Sequence, residues 1–216
     1  YWPGITNDLT QMIERCDACQ KRLPSHPKET LMADPLPTRP FEEVSADLFS
    51  LAGKSFLVYV DRLSGFPLVA EWKGDPNSQQ VAFECRQFFS TTGVPTKLRT
   101  DGGPQFAASS FAKFLKRWGV IWNPSTPHFA SSNGLAETYV KQIKSLLAKM
   151  DTPDTKSEQF QEAMIELRNT PRSDGRSPNQ IVYGHNLRSL VPVHYDAFDA
   201  KWQKSASEAD AKYASI

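Results

Sequence analysis

The strongest constraint on the fold is a run of three β-rich stretches crowded into residues 44–72. Val44-Ser-Ala-Asp-Leu-Phe49, Phe56-Leu-Val-Tyr-Val60 and a third stretch from about Phe66 to Trp72 are rich in β-branched and aromatic side chains, which fit a pleated surface. Ala52-Gly-Lys-Ser55 and Asp61-Arg-Leu-Ser-Gly65 separate them. Turns this short cannot hold a crossover helix, so the three strands form an antiparallel meander.

Beyond the meander the apolar period changes. Asn77 or Ser78 caps a predicted helix with Val81, Cys85, Phe88 and Phe89 on one face and Gly93 at its end, the residue types that start and stop helices. Thr96–Thr100 reads as a fourth strand ending at Asp101. Ser109 or Ser110 opens a helix with Phe111, Phe114, Leu115 and Trp118 directed inward, and Gly119 stops it. Val120–Trp122 is a fifth strand, and residues 123–133, rich in Pro, Ser, Thr and Asn, are a loop. A long helix follows over about Gly134–Met150, with Leu135, Tyr139, Ile143, Leu146, Leu147 and Met150 at helical period. Another covers roughly Ser157–Arg168, followed by an irregular stretch around Pro171, Gly175 and Pro178. The order βββαβαβα predicts an α/β fold, a mixed five-stranded sheet flanked by helices.

The flanks read differently. Residues 1–33 are a short, partly helical segment, and Asp34-Pro-Leu-Pro-Thr-Arg-Pro40 reads as an extended linker because Pro fixes φ and donates no ladder hydrogen bond. Residues 41–152 form the expected core, 153–195 a helical extension and 196–216 a polar tail. With 25 Lys+Arg against 24 Asp+Glu, a net charge of +1 excludes a polybasic protein but leaves room for a local basic patch. The 13 Phe and 5 Trp argue against disorder. No apolar run approaches the length of a membrane-spanning helix, and no membrane partner is expected. Three Cys make no disulfide framework, which points to a reducing, intracellular setting. The chain starts at Tyr1 rather than Met and reads as a fragment of a longer product.

Three acids fall at informative places: Asp47 inside the first strand, Asp101 at the end of the fourth, and Glu137 in the first turn of the long helix, spaced Asp-x53-Asp-x35-Glu. Singly, each reads as a turn residue or part of a solvated face. Carboxylates brought to one point repel unless a cation neutralises them, and hard oxygen ligands suit Mg²⁺ or Mn²⁺. A pair of such ions activates a nucleophile and stabilises the leaving oxygen of a phosphodiester. On the same helix Glu137, Lys141 and Lys144 lie at i, i+4 and i+7, one outward arc away from the apolar stripe. The lysines are either a solvated Glu–Lys pair or ligands for DNA phosphates.

The sequences around these acids carry a resemblance. Asp101-Gly-Gly-Pro-Gln-Phe106 and Ser132-Asn-Gly-Leu-Ala-Glu137 at x35 spacing, with Tyr1-Trp-Pro-Gly4, Cys16-Asp-Ala-Cys-Gln20, Asn169-Thr-Pro171, Ser177-Pro178 and Tyr183-Gly184, resemble the integrases of Ty3/gypsy-type LTR retrotransposons and, more broadly, retroviral integrases, over about residues 1–188. The resemblance implies an RNase H-like fold and a D,D-35-E triad of Asp47, Asp101 and Glu137 holding two Mg²⁺ or Mn²⁺ ions. It implies 3′-end processing and strand transfer on DNA, a homodimer or higher oligomer, and work in the nucleus after passage through a virus-like particle. It also implies that Lys141 and Lys144 contact the donor DNA end.

Gln105, Asn133 and His128 are further loop candidates for DNA contact, with Asn133 or Ser132 equally able to cap the helix. Cys16 and Cys19 match the second half of a His-His-Cys-Cys zinc module; with no His pair before them in these residues, they read as vestigial ligands, zinc being expected only where an upstream His pair exists. Asp61 reads as a turn residue and Cys85 as inert core. Two other classes remain open: a domesticated integrase-derived binding module without catalysis, and a DDE transposase or RNase H-like nuclease.

Overall fold

A computed structural model describes residues 3–16, 37–124, 134–150, 152–172 and 174–191, with the side chains of 134–137 outside the description. Contacts divide the chain into two units, Tyr1–Asp34 and Pro35–Ile216. In the first, α1 spans Ile5–Glu14, with Gly4 at its N-cap in the left-handed region.

The second unit is built on five strands: β1 (Glu43–Leu51), β2 (Lys54–Asp61), β3 (Pro67–Lys73), β4 (Lys97–Thr100) and β5 (Ile121–Pro124). They lie in the order β3-β2-β1-β4-β5. The first three form the expected antiparallel meander, and β1–β4 and β4–β5 pair in parallel. The β1–β2 register ends at Leu51↔Lys54, leaving Ala52-Gly53 as a two-residue turn with φ of 50° and 75°. Positive φ at both positions matches the right-handed twist of the flanking strands.

Helices cover both faces. α2 (Ser78–Thr92) starts in a capping box between Asn77 and Gln80 and ends at Gly93. α3 (Pro104–Ala107) and α4 (Ser109–Trp118) lie between β4 and β5. Their apolar sides bury Val81, Cys85, Phe89, Phe106, Phe111 and Leu115 against Val44, Ala46, Leu57, Tyr59 and Leu98. On the other face, α5 (Gly134–Ala148) and α6 (Glu158–Asn169) bury Tyr139, Val140, Ile143, Leu147, Phe160 and Met164 against Phe56, Val58 and Val60. β2 therefore contributes both of its faces to core, which explains its unbroken apolar run. Each fully buried aliphatic side chain here contributes about 1.5–3 kcal/mol.

Four details depart from the sequence reading. α3 is a four-residue helix just after the Gly-Gly turn, where the sequence predicts no element, and α7 (Pro178–Tyr183) is a six-residue helix inside the stretch expected to be irregular. Trp118, expected inward, is 37% exposed and packs edge-on against Phe89. The described end of the Pro-rich stretch bends rather than running extended: Thr38 donates its N–H and hydroxyl to Glu42 Oε2 at 2.8 and 2.9 Å. Val140 joins the buried face of α5.

Two arginines tie the C-terminal segment to the β2–β3 turn. Arg168 donates to the Pro67 carbonyl at 2.8 and 3.2 Å and lies 4.5 Å over the Phe66 ring; burial pulls it down to about 10. Arg172 donates to the Leu63 carbonyl at 2.9 Å. In that turn Gly65 has φ of 75°, and a Cβ there would lie 2.2 Å from the Tyr139 ring. Only glycine lets α5 come this close to the turn.

Candidate active site

Asp47 sits in the middle of β1, opposite Val58 of β2. Along β1, Val44, Ala46 and Leu48 belong to the core under α2 and α4, and Phe49 and Leu51 to the core under α5 and α6. The two-residue period therefore puts Asp47 on the α5 face with Phe49. In the parallel pairing, Ala46 is opposite Thr100, so the next positions are Asp47 and Asp101. Parallel neighbours are about 4.8 Å apart. The register thus sets the backbone positions of Asp47 and Asp101 next to each other, Asp101 just past the carboxyl end of β4, the edge where open α/β sheets bind ligands.

The backbone at Asp101 is fixed from two sides. Trp122 Nε1 donates to Thr100 Oγ1 at 3.0 Å, and that hydroxyl donates to the Asp101 carbonyl at 2.7 Å. The Asp101 carboxylate turns over the following glycines and accepts from Gly103 N–H at 3.3 Å. A Cβ on Gly103 would stand 3.1 Å from Oδ1, so glycine leaves the carboxylate its place. The Asp101 side is exposed, and Asp47 is about one-third exposed, at 36%. Both are open to a cation and to a polyanion.

The third acid, Glu137, lies in the first turn of α5, whose buried residues rest on β1 and β2. Its side chain lies outside the described residues. Two turns on, Lys144 brings Nζ to 3.9 Å from Asp47 Oδ2 and 4.7 Å from the centroid of the Phe49 ring. Lys141 is exposed. Gln105 lies in α3, half-buried, and lines a cleft of about 170 Å³ with Asp101, Phe49, Ser50, Asp75 and Pro76. Asp75 accepts a hydrogen bond from the buried Ser55 hydroxyl at 3.0 Å. Phe49, Ser55 and Asp75 were absent from the sequence candidates. Phe49 was within reach, since it follows Asp47 by two residues on a strand. Asp75 depends on the β2–β3 pairing, which no local pattern reveals.

Asn133, His128 and Cys19 lie outside the described residues. Cys16 is half-buried just past α1. Among the described residues no three His, Cys, Asp or Glu side chains gather closely enough to hold a metal; with Glu137 undescribed, two of the three acids are in view. Those two fit a hard divalent cation as accessible carboxylate oxygen donors at neighbouring backbone positions.

Asp61 behaves otherwise. It is fully buried and accepts from Phe41 N–H at 2.8 Å, Ser64 N–H at 2.9 Å and the Ser64 hydroxyl at 2.5 Å. Burial pushes its carboxyl above the usual carboxylate range, against those hydrogen bonds. It organises the turn, as the sequence indicated. Cys85 is buried in the core, and burial pushes its thiol up to about 12, which makes it inert.

A mixed five-stranded sheet in the order β3-β2-β1-β4-β5, flanked by helices, is an RNase H-like architecture. Residues 37–129 match the family model described as Integrase core domain. The chain is 26% identical over 197 residues to an uncharacterized protein of Caenorhabditis elegans, covering 89% of this chain and 16% of that protein. It is 24% identical over 197 residues to the Gag-Pol polyprotein of Walleye dermal sarcoma virus, covering 88% of this chain and 11% of the polyprotein. The chain thus spans less than a fifth of these relatives. Among solved structures, a chain of the simian T-cell lymphotropic virus intasome in complex with PP2A regulatory subunit B56 gamma superposes with a TM-score of 0.70 at 20% identity, over 88% of this chain and 70% of that one. The HTLV-2 integrase catalytic core domain in complex with magnesium, in dimeric form, gives 0.54 at 24% identity, over 67% and 97%. The broader likeness to retroviral integrases and the RNase H-like fold are borne out.

Proposed function

We propose that this chain is the catalytic core of a retrotransposon integrase of the Ty3/gypsy type, a metal-dependent polynucleotidyl transferase that processes DNA 3′ ends and joins them to target DNA. The observation that supports the reading is the register that brings the positions of Asp47 and Asp101 together, with Asp47 on the face covered by the Glu137 helix. Asp47, Asp101 and Glu137 would hold two Mg²⁺ or Mn²⁺ ions, which supply Lewis acidity to the attacked phosphodiester and lower the pKa of the attacking hydroxyl. The chain's own part is placement. Asp101 is held by the Trp122–Thr100 hydrogen bonds, Asp47 by the strand ladder, and α5 by its buried stripe. Lys141 and Lys144 present ammonium groups to DNA phosphates on the same side, and Gln105 stands where a strand entering from Asp101 would pass.

The relatives' Pol polyproteins and the dimeric and intasome assemblies of the neighbours support DNA as partner and a dimer or larger oligomer as the working form; the nucleus as its place of work is part of the same proposal. Cys16 and Cys19 would bind zinc only with a His pair supplied upstream.

The test is a duplex oligonucleotide assay with Mn²⁺ that scores nicking and joining separately. Joining of a recessed 3′ end to a second duplex supports the integrase. Nicking without joining favours the nuclease reading, and DNA binding with neither favours the domesticated module.

A further inference from the structure

Lys144 is held by two partners on one strand. Its ammonium is 3.9 Å from Asp47 Oδ2 and 4.7 Å from the Phe49 ring centroid. Asp47 and Phe49 are two residues apart on β1 and share a face, so the amine is seated between a carboxylate and a π-face. The backbone beneath it does not need to move for that seat to empty. Ile143 and Leu147, either side of Lys144 on α5, are fully buried, whereas the Lys144 side chain is 45% exposed on a flexible four-carbon stem. The seat lies at the carboxylate assigned to the metal ions in the proposed function. An ammonium and a divalent cation at the same carboxylate repel each other, and the doubly charged ion is the stronger competitor.

We propose that Lys144 is a metal-released phosphate ligand: it neutralises Asp47 while that carboxylate holds no divalent ion, and is handed to a DNA phosphate once it does. The inference rests on the reading of Asp47 as a metal ligand. It adds an order of events. Before metal binds, Lys144 quenches the carboxylate that would repel DNA, and its charge is spent on Asp47. Afterwards Asp47 is neutralised by the metal, and Lys144 is available to the phosphate. Metal and DNA then bind with positive coupling, and the coupling is reciprocal. Lys141, one turn earlier on the same exposed side, serves as the internal reference.

The test uses the whole chain with lysine ε-carbons isotopically labelled, observed by NMR without DNA as Mg²⁺ is added, with Mg²⁺ binding followed separately by calorimetry. A methylene beside an aromatic face is shifted upfield by the ring current. In the metal-free protein the Lys144 ε-protons should be upfield of those of Lys141, and Phe49→Leu should remove the displacement. Saturating Mg²⁺ should remove most of it too, and Asp47→Asn should lose it without any Mg²⁺. A Lys144 signal that stays upfield at Mg²⁺ saturation overturns the proposal, as does a metal-free signal that Phe49→Leu leaves unchanged. Calorimetry that detects no Mg²⁺ binding sinks the metal-ligand reading itself, and the hand-over with it.

Discussion

The two ends of the parallel strands treat their acids in opposite ways. At the amino end, Glu43 of β1 is bridged by Arg62 and, at 2.6 Å, by Lys97, and Asp61 is buried among backbone and hydroxyl donors. At the carboxyl end, Asp101 is exposed with a single 3.3 Å bond from Gly103 N–H recorded to its carboxylate, and Asp47 faces a lysine at 3.9 Å. The amino-end acids close turns and fasten Phe41 and β4 to the sheet. The carboxyl-end acids are accessible: Asp47 reaches Lys144 of α5, and Asp101 accepts from Gly103 N–H in its own turn. Carboxylates this open stay available to a ligand, and the contrast in burial separates the two sets better than spacing does.

The widest separation between the two ends should come from chemistry. Asp101→Asn or Glu137→Gln is expected to abolish metal-dependent DNA joining, while urea unfolding midpoints change by no more than about 0.5 kcal/mol equivalent, as for surface sites. Asp61→Ala should do the reverse in the same unfolding experiment, costing roughly 2–4 kcal/mol because several buried donors lose their acceptor. If Asp101→Asn destabilised as much as Asp61→Ala, the contrast would collapse.

Smaller effects sharpen it. Lys141→Ala with Lys144→Ala should reduce the salt slope of DNA binding by about 2, measured by fluorescence anisotropy across salt concentrations; an unchanged slope returns both lysines to the solvent. Asp61 also has a pH signature. Its folded carboxyl is raised by burial, so its contribution to stability is complete below the usual aspartate range and is lost as pH rises through its folded value. Asp61→Asn should lack that part of the stability–pH curve, read from unfolding midpoints. Smallest is thiol labelling: Cys85, with its thiol pushed up to about 12, should stay unlabelled by iodoacetamide at neutral pH until the protein unfolds.

The meander and the alternating helices and strands were legible because they are long enough to show their period. α3 and α7, at four and six residues, complete at most two turns and carry no such signal. Trp118 ends its helix, where the inward face runs out, so period alone overstated its burial. At the site, the elements that carry Asp47, Asp101 and Glu137 followed from the strand and helix periods and the Gly-Gly turn, whereas their grouping as a triad came from the resemblance of the surrounding motifs. The seat of Lys144 over Phe49 was half-written in the sequence, in the i+7 spacing and the strand period, but its closing needed the packing of α5 on β1. Asp61 was read as a turn residue from its neighbours alone. Its burial depends on Phe41, twenty residues away, and such a contact leaves no local trace.

The most direct measurement is reversal of strand transfer on a branched DNA that mimics the joined product, run with purified chain and Mn²⁺ beside Asp101→Asn. In this reaction the 3′-hydroxyl at the branch attacks the junction phosphodiester, resealing one strand and releasing the other. The account predicts Mn²⁺-dependent resealing by the wild-type chain and none by the variant, with both folded. A folded wild-type chain that binds this DNA and yields no resealed strand, or an Asp101→Asn chain that reseals it equally well, would contradict the assignment of Asp47, Asp101 and Glu137 as a working polynucleotidyl transferase site.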